Sequence, residues 1–205
     1  FATAAILQAA GIEAVPTYHL DSWPEHATQR WVAKADDGAG CVDSRYFDNA
    51  ADLRQWMQGR ETTHVIQPYL PGTPASLCVL CNQGQAWLLS CNVQKIMLEA
   101  GSFSYAGSVL NGAAQHWRSC ESLAKRVAQA MPGLSGYVGI DILISGGQPW
   151  VLEINPRLTT SYVGLHQAMA CNPARLVIDL LYNGRLPLSE HFSRNVVQIE
   201  LDAVA

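Results

Sequence analysis

Residues 136-GYVGIDILISGGQPWVLEINPRLTTS-161 decide how the chain is read. Val138, Ile140, Ile142 and Ile144 alternate with Tyr137, Gly139, Asp141 and Leu143. After a Gly-Gly pair, Trp150, Leu152 and Ile154 alternate with Val151, Glu153 and Asn155. A period of two marks β-strands, and the glycine pair marks the turn of a hairpin. A carboxylate buried in a strand is costly unless it is paired or coordinated. Asp141 and Glu153, with Asn155 nearby, therefore require a partner.

Parity tests the register, because directly opposed residues in an antiparallel pair share a face. A two-residue Gly146-Gly147 turn would set Asp141 opposite Leu152. A three-residue Gly146-Gly147-Gln148 loop sets Ser145 opposite Pro149, Asp141 opposite Glu153 and Gly139 opposite Asn155. Pro149 then opens its strand, where proline is tolerated. The three-residue loop is the expected register, since it gathers Asp141, Glu153 and Asn155 on one face beside the space left by Gly139. Hard oxygen ligands of this kind suit Mg²⁺ (or Mn²⁺), which keeps waters and bridges to phosphates. Acids that only cap nearby backbone are the plainer alternative.

Around the hairpin, the chain of 205 residues is long enough for one domain or two small lobes with a sizeable core. A net charge of −4 and the absence of a basic run argue against a nucleic-acid surface. No apolar run approaches membrane-spanning length and no signal peptide is visible, so no membrane partner is expected. The six cysteines include Cys78 and Cys81, spaced like half a zinc site but without a second such pair. Their odd offset within a strand points them to opposite faces. Reduced, buried thiols in a cytoplasmic protein are the expectation. The chain opens with Phe1-Ala2-Thr3 and no initiator Met, and a preceding lobe outside this sequence is expected.

Helices are expected over residues 3–10, 48–57 (capped by Asp48 or Asn49), 119–131 (capped by Ser119), 159–170 and 173–182 (capped by Asn172). Strands are expected over 30–34, 42–47, 64–70, 76–81, 85–96 and 196–201. The Gly/Ser-rich stretch 101-GSFSYAGSVLNGAAQ-115 reads as a long functional loop. Strands and helices mix without a βαβ repeat, which gives an α+β class. Lys34 precedes the turn 35-ADDGAGC-41, where glycines let backbone N–H groups approach phosphate and a lysine adds charge. Lys95, in 92-NVQKI-96, is a similar cation at a strand end. Taken alone, a solvated lysine is the favoured reading of both.

Taken together, these segments resemble the ATP-grasp superfamily of carboxylate–amine ligases. The likeness runs from about Gly11 to about Gly184, and GxDxL…VLEINPR is its specific part. It implies two α+β lobes gripping ATP: an opening helix and connector over 1–15, a small lid lobe over 16–70, and a large lobe with the metal site over 71–205. It further implies that Lys34 and Lys95 contact ATP, that Gly38, Ala39 and Gly40 close over the phosphates, and that Gln67, Pro68, Tyr69 and Leu70 line the adenine pocket through backbone hydrogen bonds. Asp141, Glu153 and Asn155 would hold Mg²⁺, and Arg157 would face the transferring phosphoryl group as the catalytic cation. An ion pair with Glu153 is the structural alternative for Arg157. Tyr105, Ser104 and Thr159–Ser161 are read either as contacts to the acid or the amine or, equally, as loop-packing and helix-cap residues, and His166 is expected on a helix surface.

The stretches 67-QPYLPGTPAS-76, 92-NVQ-94, 103-FSYAG-107 and 155-NPRLTTSYVGL-165 resemble the tyramine–glutamate ligase subgroup, which serves methanofuran-type cofactor synthesis. Two positions depart from the family pattern. Pro74 stands where many members place a ribose-binding Glu, and residues 1–12 carry no phosphate-binding lysine. The implied reaction joins a small carboxylic acid to an amine through an acyl phosphate, releasing ADP and phosphate, with a homodimer left open. The competing reading is a non-catalytic ATP-binding regulatory module on the same scaffold.

Overall fold

The computed structural model describes residues 1–24, 29–36, 38, 41, 43–58, 64–184 and 192–201. In chain order these form α1 (Ala2–Ala9), β1 (Tyr18–His19), β2 (Trp31–Ala35), β3 (Arg45–Phe47), α2 (Ala50–Met57) and β4 (His64–Pro68). They continue through β5 (Thr73–Asn82), β6 (Gln85–Glu99), β7 (Ser102–Leu110), α3 (Trp117–Ala130), β8 (Gly136–Ser145) and β9 (Gln148–Asn155). The last elements are α4 (Tyr162–Met169), α5 (Pro173–Asn183) and β10 (Val197–Glu200). The strands order as β1-β4-β2-β3-β7-β6-β5-β8-β9, with β10 added to β7. Their pairings are antiparallel, and an isolated parallel bridge joins Ala14 to Val151. Helices packed on an antiparallel sheet bear out the α+β expectation.

Between β3 and β7 the sheet narrows to a single pair, Arg45 opposite Ser102. On the β1–β4 side, Trp23, Trp31, Phe47, Leu53 and Ile66 form one apolar cluster under α2. On the other side the sheet is buried on both faces. Leu77, Val79, Cys81, Val138, Ile140 and Ile142 pack toward α3, joined by Leu7 of α1 and by Ile12. Cys78, Leu80 and Tyr137 pack toward α4 and α5. Cys78 and Cys81 thus face opposite cores, as the odd offset requires, and all six cysteines are free thiols. Among the described residues, no helix is long and apolar enough to cross a membrane.

Capping follows sequence chemistry at two helices. The Asn49 side chain accepts from the Asp52 N–H, and the Asn172 side chain accepts from the Ala174 N–H ahead of Pro173. Elsewhere the structure corrects the expectation. Helix α3 begins at Trp117, inside which Ser119 donates its hydroxyl to the His116 carbonyl at 2.9 Å instead of capping. Helix α4 begins at Tyr162, because Thr159–Ser161 lie in the segment leaving β9. Val42 of the expected return strand lies outside the described residues. The stretch expected to be a long loop is mostly strand β7, which pairs with β6 on one edge and β10 on the other. Its glycines and serines suggest a loop locally, but neighbours distant in sequence supply the ladder.

The hairpin register holds by a different route. Gly146 and Gly147 have φ of +56° and +80°, the left-handed values of a two-residue turn, and Ser145 lies opposite Gln148, not Pro149. A β-bulge then inserts Leu152: Ile142 lies opposite Val151, yet Asp141 lies opposite Glu153 and Gly139 opposite Asn155. The bulge, not a three-residue loop, restores the parity that brings the acids together.

Candidate functional site

Strands β2, β4, β5, β6, β8 and β9 wall a cavity of about 470 Å³. Within the hairpin, the bulge lets two consecutive residues, Leu152 and Glu153, both line it. Asp141 lies across from Ser76 on β5 and from Glu153 on β9, so the acids occupy adjacent strands at one level. Asp141 is held on both oxygens. Gln94 Nε2 donates to Oδ1 at 2.9 Å, and Asn155 Nδ2 donates to Oδ2 at 3.0 Å. Burial, and then the charge of Glu153, pushes the Asp141 carboxyl up to about 6, against the opposing pull of Gln94, Lys34 and Asn155.

Cations complete the arrangement. Lys34 on β2 lies with its Nζ 3.9 Å from Glu153 Oε2 and donates to the Leu152 carbonyl at 3.3 Å. It is mostly covered, its side chain 19% exposed, and so is no solvated turn lysine. Arg157 donates from Nη2 to Asn155 Oδ1 at 3.1 Å and from Nη1 to the Leu158 carbonyl at 3.3 Å. Among the described residues it makes no ion pair with Glu153, a position that Lys34 takes instead. The segment from Asn155 to Ser161 folds back over β8, where Gly139 leaves room. A Cβ on Gly139 would come within 2.4 Å of Thr159 Cγ2. Thr159 Oγ1 is also 2.9 Å from the Tyr137 hydroxyl.

Residues marked out from the sequence are therefore largely gathered in one cavity: Lys34, Gln67–Leu70, Asp141, Glu153, Asn155, Arg157, Tyr105 and Thr159–Ser161 all line it. Lys95 and Ser104 do not. The Lys95 ammonium pairs with Glu200 of β10 at 3.0 Å. Gly38 donates its N–H to the Ala35 carbonyl at 3.3 Å, a turn contact outside the cavity wall, while Ala39 and Gly40 lie outside the described residues. His166 is exposed on α4, as expected. Gln94 and Cys41 also line the cavity and were not singled out from the sequence. Burial and the nearby carboxylates push the Cys41 thiol up. The signal available for Gln94 was its place in a largely apolar strand, where a buried amide needs a partner.

Two carboxylates facing each other, one made harder to ionise by its burial, beside an amide oxygen make a hard-oxygen donor set short of positive charge. That set fits a dication whose remaining ligands are phosphate oxygens and water. Among the described residues no group of three or more His, Cys, Asp or Glu gathers, so a closed all-protein cage is not what the side chains offer.

The profile of the ATP-grasp domain matches residues 1–161. Tyramine–L-glutamate ligase of Methanocaldococcus fervens is 26% identical over 137 residues, which are 67% of this chain and 40% of that protein. The N5-carboxyaminoimidazole synthetase of Staphylococcus aureus, solved with ADP, superposes with a TM-score of 0.74 at 16% identity, covering 90% of this chain and 51% of that one. The L-amino acid ligase of Bacillus licheniformis gives a TM-score of 0.71 at 17% identity, covering 87% and 45%. The chain thus spans roughly half the length or less of these proteins, and the two structural likenesses establish its fold. With most of its residues under one family profile and a matching architecture, the chain belongs to the ATP-grasp domain family.

Proposed function

We propose that this chain forms the nucleotide-binding and phosphoryl-transfer part of an ATP-dependent ligase joining a carboxylic acid to an amine. The observation that carries the reading is the convergence in one cavity of Asp141, Glu153 and Asn155 with the cations Lys34 and Arg157. The segment 16–70 acts as a lid lobe over the large lobe 71–205. Residues 1–15 supply the opening helix and connector. The relatives' names, tyramine–L-glutamate ligase and L-amino acid ligase, are consistent with amide bond formation on an amino acid.

The chemistry asks the protein to bring two anions together. A substrate carboxylate attacks the γ-phosphorus of ATP and ADP leaves. An amine then attacks the acyl carbon and expels phosphate. No covalent bond to the protein is needed, so catalysis rests on position and charge. Arg157 offers a planar fork to phosphoryl or carboxylate oxygens, and Lys34 a point charge to phosphate. Asp141, Glu153 and Asn155 would hold Mg²⁺ (or Mn²⁺), which neutralises phosphate charge when bound. Gln94 keeps the Asp141 carboxylate aimed at that position. At the end of β4, Pro68 has no N–H and the Tyr69 N–H is spent on the Arg30 carbonyl at 2.8 Å, which leaves the Leu70 N–H as the donor for a base. Tyr105 and Thr160, which line the cavity, would contact the acid or the amine. A role in cofactor synthesis follows from the subgroup resemblance.

Pro74 on the cavity wall supplies no ribose ligand and favours the second reading, a non-catalytic nucleotide module. ADP release that depends on both an added acid and an added amine supports the ligase. ATP binding with no acid- and amine-dependent ADP release by the full chain would support the module.

A further inference from the structure

Two thiols that the cavity does not use touch each other in the core behind it. Cys91 on β6 and Cys120 on α3 are both wholly buried, and the Cys91 S–H donates to Cys120 Sγ at 3.2 Å. A disulfide spans about 2.0 Å, so roughly 1 Å of further approach separates this dithiol from the bond. Cys120 lies in the first turn of α3, where the N–H groups of a helix start favour an anion. The hydrogen bond from Cys91 holds the Cys120 thiol down and the Cys91 thiol up, so Cys120 is the sulfur that ionises first. The two supports are already tied, since the Ala113 N–H, on the approach to α3, donates to the Cys91 carbonyl at 3.1 Å. Along β6, Cys91 faces the core under α3, whereas Asn92 and Gln94 face the other way. Asn92, wholly buried, accepts from the Asn111 N–H at 3.1 Å and reaches Ser76 Oγ and Cys78 Sγ at 3.4 Å. Gln94 holds Asp141.

Resting on the nucleotide reading above, we propose that Cys91 and Cys120 form a thiol–disulfide switch that sets the position of β6 and, through Gln94, the hold on Asp141. The oxidant is hydrogen peroxide, small enough to reach the pair when the first turn of α3, which has no side-chain cap, opens locally. The Cys120 thiolate attacks one peroxide oxygen. An S–O bond forms, the O–O bond breaks, and the departing hydroxide takes up a proton and leaves as water. The Cys91 sulfur, giving up its proton, then attacks the sulfenic sulfur. The S–S bond forms, the S–O bond breaks, and a second water leaves. Two electrons pass from the sulfurs to the peroxide, so two thiols and one hydrogen peroxide become one disulfide and two waters. A dithiol reductant reverses the bond by exchange. The shortened contact draws β6 toward α3, and Asn92 and Gln94 follow the strand. Gln94 then moves off Asp141 Oδ1, and the carboxylate loses its orienting partner.

The test uses the full chain. Reduced protein is treated with hydrogen peroxide, the excess is removed with catalase, and the remaining thiols are blocked before peptide mapping. A peptide pair joined through Cys91 and Cys120 is expected, and dithiothreitol is expected to release it. Titrating Mg²⁺ against a fixed concentration of ATP then compares the two forms, and the oxidised form is expected to need about tenfold more Mg²⁺. Cys91→Ala and Cys120→Ala are expected to bind as the reduced wild type does and to keep that affinity after peroxide. Absence of the joined peptides from oxidised wild type overturns the proposal without recourse to a variant, and so does a joined pair with an unchanged Mg²⁺ requirement. A loss of binding that persists in both variants belongs to another thiol, such as Cys41 in the cavity wall, and overturns the switch as well. Reduced wild type that binds no nucleotide with Mg²⁺ overturns the nucleotide reading and the link to it, while the peptide map still decides whether the pair closes.

Discussion

Gln94 on β6 donates its amide N–H to Oδ1 of Asp141 on β8, two strands away across β5. The contact satisfies one oxygen of a carboxylate whose other oxygen is taken by Asn155. It also lowers the cost of keeping that carboxylate ionised among buried neighbours. Gln94→Leu removes the donor at little change in volume. Mg²⁺-dependent nucleotide binding should weaken about 10- to 100-fold, the usual effect of losing an orienting partner behind a metal ligand. Titrating Mg²⁺ against a fixed nucleotide concentration measures this. An unchanged Mg²⁺ requirement would show that Gln94 does not position Asp141.

Asp141→Asn and Glu153→Gln keep the shape of the hairpin and remove charge. Each should reduce acid- and amine-dependent ADP release by about 10²- to 10⁴-fold while the melting temperature holds or rises. The stability expectation follows from the site itself, since each change relieves repulsion between facing carboxylates. Normal turnover by either variant in the presence of Mg²⁺ would remove both from the metal-holding role.

The raised Asp141 carboxyl gives a dependence on pH with a definite sign. Its folded value, about 6, lies above its unfolded one, so the folded state holds the proton more tightly. The associated stability is present in acid and is lost as pH rises from about 4 to about 6. Metal-free wild type should therefore lose stability over that window relative to Asp141→Asn. Mg²⁺ should reverse the trend, because it binds the ionised form. Thermal melts from pH 4.5 to 7.5, with and without Mg²⁺ and nucleotide, read both effects. A metal-induced gain that shrinks with rising pH would contradict the assignment.

Gly139→Ala tests the packing of the segment that carries Arg157. The new methyl would press on Thr159 Cγ2, at a cost of about 1–3 kcal/mol and with displacement of the return segment. Thr159→Ser removes that methyl and keeps the hydroxyl near Tyr137. The double variant should recover most of both stability and ADP release. Additive losses would mean that the two residues are not in conflict.

The pairing of Asp141 with Glu153 and of Gly139 with Asn155 was expected from the sequence, but on a three-residue loop that the structure replaces with a two-residue turn and a bulge. The path between them was not legible, since a bulge leaves no pattern in alternating apolar residues. Lys34 was visible as a cation near a glycine turn. Its contact with Leu152 depends on a fold that spans 118 positions in sequence. Strand β7 was hidden for a related reason: its composition is loop-like, and its order comes from β6 and β10. For Lys95 the ATP contact came from the family resemblance, and its ammonium pairs with Glu200 of β10. Local chemistry was readable where the partners were local, as at the Asn49 and Asn172 caps.

The bulge at Leu152 separates the bookkeeping of the turn from that of the site. Because phase is corrected between Val151 and Glu153, the two acids are referenced to β8 and not to the number of residues at the hairpin tip. Gly146 and Gly147 also have nothing within 4 Å of where a side chain would begin. The tip is thus a place to graft a peptide tag or a fluorophore loop without moving Asp141 relative to Glu153. Removing Leu152 alone would leave Glu153 opposite Asp141 in a regular ladder, taking from the wall only one of the two consecutive side chains that the bulge presents there.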